Sequence, residues 1–177
     1  IAENTMIWFC SDNGPAAEGG GPGWEPGDRQ QGITGGLRGR KGTVFEGGIR
    51  VPALLEWPAR IDGHRETDFP AVTSDYYPTI LDLLEIKAKN QPQLDGISLK
   101  NVIEKDKINE RPQPIGFQHR FGGQKWYVWN DNQYKLIYKE DDDQYLLFDL
   151  YNDPNETENI AGEHPETVDK MKNELQN

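Results

Sequence analysis

An aspartate and an asparagine close the first apolar run of this chain. Met6-Ile7-Trp8-Phe9-Cys10 leads through Ser11 to Asp12-Asn13, and Gly14-Pro15 then breaks the run. Such a pattern describes a fully buried strand that delivers a carboxylate and a carboxamide to the edge of a sheet. In open α/β sheets that edge is where ligands collect. Two hard oxygen donors suit Ca²⁺, with Mg²⁺ as the alternative, better than zinc. They do not complete a shell, because Ca²⁺ takes about six to eight oxygens. Asn13-Gly14 is also the commonest hairpin signal. Against a hairpin stand Pro15 and the lack of a returning strand in the glycine-rich stretch that follows.

A second candidate is cationic. Leu37-Arg38-Gly39-Arg40-Lys41-Gly42-Thr43 is basic in an otherwise acidic chain, and Lys41 stands where glycines let the backbone approach an anion. An ammonium on a flexible stem suits a tetrahedral oxyanion as a point charge. A solvated basic loop remains the alternative for Arg38, Arg40 and Lys41. Glu46 and Arg50 flank Gly47-Gly48-Ile49 and are expected to brace the loop rather than touch a substrate. The segment is not a phosphate-binding P-loop, since its lysine precedes the glycine. Ser11-Asp12-Asn13 has no Ser-x-x-Lys or Lys-Thr-Gly companion, which excludes a β-lactamase site. His64, His119 and His164 lack metal-ligand spacing, and His164 reads as a helix cap. His119, in Gln118-His119-Arg120 before Gly122-Gly123, either faces a ligand or is an exposed loop residue.

The elements that must position these groups follow from periodicity. Thirteen of the nineteen glycines fall between Gly14 and Gly48. That is one long irregular loop of the kind that is functional or disordered, and its tip at Gly19-Gly20-Gly21-Pro22-Gly23 is a candidate for disorder. Val51 to Trp57 reads as a second buried strand. Ser74 to Ile86 reads as a helix with Pro78 in its first turn and Tyr77, Ile80, Leu81 and Leu84 on one face. A short helix is expected from Ser98 to Glu104. Beyond it the period changes to two. Trp126–Trp129 and Tyr134–Tyr138 flank a hairpin turn, Tyr145–Leu150 adds a third strand, and Pro114–His119 a fourth. A helix starting near His164, with Pro165 at its first position, closes the chain. A domain boundary is expected between residues 1–110 and 111–177.

Composition narrows the function. The net charge of −11 argues against nucleic acid as a partner, and no apolar run is long enough to span a bilayer. The lone Cys10 can make no internal disulfide and reads as a small buried hydrophobe. Asn155-Glu156-Thr157 matches the glycosylation acceptor pattern, a motif short enough to recur by chance. The first residue is not Met and an apolar strand begins almost at once, so the true start is expected to lie elsewhere.

Together the motifs resemble the sulfatase family, the formylglycine-dependent sulfuric ester hydrolases. The strand Asn4–Gly14 looks like the one that ends in the family's second pair of metal ligands. Leu37–Ala53 resembles the segment carrying the sulfate-binding lysine. Asp75–Leu83, Leu94–Leu99 and Phe148–Glu156 follow in family order. The resemblance implies an α/β fold: part of an alkaline-phosphatase-like sheet, followed by a small antiparallel β-sheet subdomain with a C-terminal helix. It implies Ca²⁺ on Asp12 and Asn13, and sulfate on Lys41. Trp126 and His119 would border the substrate mouth, although core or cross-strand packing is the alternative for Trp126. The sequence contains no Cys/Ser-x-Pro-x-Arg motif, so the formylglycine is expected in a missing N-terminal part of the same protein. A chain without it is expected to be catalytically silent alone.

The partners implied are a sulfated small molecule or carbohydrate and that N-terminal part, with neither nucleic acid nor membrane. The resemblance also implies a periplasmic, extracellular or lysosomal location. Two other functions fit the residues: a phosphatase or phosphonate hydrolase of the same superfamily, and a non-catalytic binding module.

Overall fold

The computed structural model describes residues 1–16, 33–104 and 110–175. The Gly19–Gly23 tip lies outside them. Strands β1 (Ile7–Cys10) and β2 (Ala53–Glu56) pair in a two-stranded sheet. The full burial expected of both does not occur, because Ile7, Phe9 and Leu54 are 57%, 59% and 67% exposed. The physical reason is the pleat: successive side chains of a strand point to opposite faces. Only Met6, Trp8 and Leu55 turn toward a core, that of Trp57, Leu83, Leu99 and Ile103.

By contacts the chain divides into two units. One comprises residues 1–8 and 55–114, the other residues 9–54 and 115–177. In the first, helix α2 (Tyr76–Leu83) follows a 3₁₀ turn at Thr73–Asp75, and α3 (Lys100–Glu104) lies further along. The shared apolar face read for α2 is largely open, with Tyr77, Ile80 and Leu84 exposed and Leu81 half-buried. Polar groups turn the helix. Thr79 Oγ1 donates to Asp75 O at 2.6 Å and accepts from Leu99 N at 2.9 Å. Asp75 itself is fully buried against Arg111.

The second unit is built on a four-stranded antiparallel meander. Its strands are β3 (Ile115–Phe121), β4 (Gln124–Asp131), β5 (Tyr134–Lys139) and β6 (Gln144–Asp149), in that spatial order. All four were legible from the period-two pattern. Register places Val128 opposite Ile137, and Ile137 opposite Leu146. With Phe148 these pack on Val44 and Phe45 of the basic segment, forming the core of one face. The other face buries Leu136 and Leu147 under Met171 of helix α4 (Pro165–Leu175). His164 sits at the cap position foreseen for it, its carbonyl accepting Val168 N at 3.1 Å. A four-residue helix, α1 (Glu46–Ile49), ends the glycine-rich segment.

Candidate functional site

The turn beyond β1 is held by its own polar groups. Ser11 Oγ donates to Asn13 O at 3.0 Å, and Asn13 Nδ2 donates to Gly14 O at 2.9 Å. These bonds occupy the donor end of the Asn13 amide and leave its oxygen, the atom a hard cation takes, outside them. Asp12 is exposed. Gly14 N donates to Gly48 O at 2.9 Å. A Cβ on Gly14 would lie 1.9 Å from Gly47 O, so only glycine lets the turn seat on α1.

Lys41 meets the same turn from the other side. Its backbone N donates to Pro15 O at 3.2 Å, two residues beyond Asn13, while its side chain is exposed. Lys41 Nζ has no partner among the described residues. Thr43 Oγ1 closes the loop by donating to Arg40 O at 2.8 Å. From β3, the His119 Nε2 atom lies 3.2 Å from Gly42 O. A carbonyl only accepts, so this nitrogen carries the proton. The turn at Asn13, the Lys41 backbone and His119 are therefore brought together. Trp126, opposite His119 in register, is spent on packing: its ring meets Phe45 edge-on at 5.9 Å and lies 5.0 Å from Lys139 Nζ. A cavity of about 520 Å³, bordered by Ser11, Asn13, Gly14, Leu37, Gly47 and Arg50, opens beside the turn.

The donors present fit part of a Ca²⁺ shell in type, a carboxylate and an amide oxygen. Among the described residues no group of three or more His, Cys, Asp or Glu side chains could hold a metal.

Behind the loop lies a polar cluster of which the sequence reading named only Glu46, as a brace of the loop. Lys135 Nζ is 2.8 Å from Glu46 Oε1, in a hydrogen bond, and 2.8 Å from Glu156 Oε1, as an ion pair without hydrogen-bond geometry. Glu46 N donates to Glu156 Oε2 at 2.6 Å. Arg38 Nη1 donates to Glu156 O at 2.9 Å, and the guanidinium lies 4.0 Å from the centre of the Phe45 ring. Glu46, Lys135 and Glu156 are all buried. Burial pushes the Glu156 carboxyl above the ordinary glutamate value, and the pull of Lys135 does not cancel this. The available signal was a lysine on the same strand face as Ile137, where only buried carboxylates could balance it.

The fold recurs in solved structures. Ps i-CgsB in complex with k-i-k-neocarrahexaose matches with a TM-score of 0.79 at 26% identity, over 99% of this chain and 36% of that one. A protein in complex with its substrate D-glucosamine-2-N,6-O-disulfate gives 0.70 at 21% identity, over 98% and 34%, a likeness of fold alone. A curated sulfatase of Formosa agariphila is 34% identical over 200 residues, covering 99% of this chain and 33% of its own length. Residues 40–177 match the family model for N-sulphoglucosamine sulphohydrolase, C-terminal. The chain belongs to the sulfatase family and corresponds to its C-terminal portion. It spans about a third of the length of that relative.

Proposed function

We propose that the protein carrying this chain cleaves sulfate esters of carbohydrates. In this reading Lys41 holds the sulfuryl oxygens, and Asp12 and Asn13 supply two of the ligands to Ca²⁺. Strands β1 and β2 belong to an alkaline-phosphatase-like sheet, and the formylglycine lies outside the chain. One observation carries the reading. In a chain of this family, a single backbone hydrogen bond joins Lys41 to the turn that carries the hard-oxygen donors.

When bound, Ca²⁺ would supply a fixed positive charge for the developing anion. Lys41 supplies the second charge. Its loop is already held at Arg40, Lys41 and Gly42, so little reorganisation is needed as charge moves onto the oxygens. His119 keeps the loop in register through Gly42 O and borders the substrate mouth in this reading. Trp126 forms the wall behind it. A carbohydrate substrate is supported by the neocarrahexaose complex of the similar Ps i-CgsB.

Lys41→Ala in the protein carrying this chain is expected to lower aryl sulfate turnover by roughly 10²-fold, the cost of losing one oxyanion partner. Near-normal turnover would remove Lys41 from the mechanism. Comparing an aryl sulfate with an aryl phosphate separates this reading from a phosphatase.

A further inference from the structure

Two features of the buried cluster are not explained by stability. A buried Glu–Lys–Glu arrangement is seldom more stabilising than apolar packing of similar volume. Glu156, fully buried, also holds a left-handed backbone with φ of 56°. A non-glycine residue persists there only where its surroundings over-determine it. Here they do so through three routes at once. The carboxylate meets Lys135 and the Glu46 amide, and the carbonyl meets the Arg38 guanidinium.

All three routes lead to the site. Glu46 opens α1, whose Gly48 carbonyl receives Gly14 N, one residue beyond Asn13. Gly47 N donates to Arg38 O at 2.7 Å, tying α1 to the strand of chain that leads to Lys41. Arg38 itself is clamped between Glu156 O and the Phe45 ring. Lys135, the second residue of β5, therefore anchors both segments to the C-terminal sheet, 89 residues away in sequence from Glu46.

We infer that Glu46, Lys135 and Glu156 form a brace setting the positions of the Lys41 loop and the Asp12–Asn13 tip, with Glu156 a positioning residue for the reaction proposed above. The inference rests on that reading for its catalytic consequence but not for its geometry. No part of the cluster touches substrate. It acts on the reaction by holding two backbones in place, and a small misplacement of reacting groups costs up to about 10²-fold in rate.

The test uses Glu156→Gln, which keeps size and removes one charge, and Arg38→Lys, which keeps charge and removes the guanidinium bond. Both are made in the protein carrying this chain. Three quantities are read: kcat and KM on an aryl sulfate, inhibition by inorganic sulfate, and hydrogen exchange at the Gly14 and Lys41 amides. For Glu156→Gln the expected result is kcat lowered roughly 10- to 100-fold, weaker sulfate inhibition, and faster exchange at both amides. Arg38→Lys should move the same readouts in the same direction by less. A brace that is only structural would lower the melting temperature while leaving kcat, sulfate inhibition and those two amides as in the wild type, and that result overturns the inference.

Should Glu156→Gln fail to fold, Arg38→Lys decides alone, and unchanged kcat and exchange in it would be the overturning result. If the wild-type protein hydrolyses no sulfate ester, the functional reading fails. The brace is then judged by exchange at Gly14 and Lys41, where protection equal to wild type in either variant refutes it.

Discussion

Two buried ion clusters, one in each unit, solve the same electrostatic problem differently. In the first, Asp75 meets Arg111 in a two-pronged pair, with Nη1–Oδ2 at 2.7 Å and Nη2–Oδ1 at 2.8 Å. The amides of Val72 and Ile97 complete the carboxylate, each at 2.8 Å. Charge is balanced and both oxygens are satisfied, so the pair works as a closed clasp. In the second, two carboxylates share one lysine and the backbone of Glu156 is strained. The difference teaches that burial alone does not identify a role. A balanced pair with complete hydrogen bonding accounts for itself by holding the chain together, whereas an unbalanced and strained one, placed behind a candidate site, calls for another explanation.

Three measurements test this contrast. The largest effect is expected from Arg111→Met, which strands the Asp75 carboxylate and should cost about 3–5 kcal/mol in urea unfolding. A loss well below that range would mean the clasp is not the anchor of its unit. Lys135→Met should cost roughly 3 kcal/mol at pH 8, and that cost should depend on pH. The Glu156 carboxyl already lies above its ordinary value, so protonation favours the folded state. The deficit of Lys135→Met relative to wild type should therefore shrink as the pH falls toward 4.5, the ordinary glutamate value. A deficit that widened in acid would contradict the imbalance.

The smallest effect comes from a carboxylate outside both clusters. Burial raises the Asp149 carboxyl, but hydrogen bonds from Asn152, Gln133 and the Tyr151 amide outweigh it and leave the group below its ordinary value. Its stabilisation is present above pH 3.8, the ordinary aspartate value, and is lost as the pH falls through the lowered one. Asp149→Asn should thus be less stable than wild type at pH 7 and converge with it in strong acid, as thermal melts followed by circular dichroism would show.

The C-terminal sheet was readable because its information is local. Alternating residues and short turns define β3 to β6 before any tertiary contact is known. The burial of β1 and β2 was misread because an apolar run does not say which face a two-stranded ribbon presents. The open apolar face of α2 has a related cause: Asp75 and Thr79 make contacts with Arg111 and Leu99 that periodicity cannot see, and these outrank it. Glu46 was correctly expected to brace the loop, but its partner Lys135 lies 89 residues away and no spacing rule links them. Helix α1 was hidden by Gly47, a poor helix former. The position needs glycine because a Cβ there would lie 2.4 Å from Gly39 O.

The left-handed backbone at Glu156 sets up a conflict that any stability-driven redesign of this protein would meet. Glycine or asparagine relieves that conformation at little cost, but Glu156→Gly also strips the buried Lys135 and the Glu46 amide of a partner. The two effects oppose each other, so a screen scoring only resistance to heat should pass over this position. A glycine variant that gained both heat resistance and turnover would show that the residue is kept for some other reason.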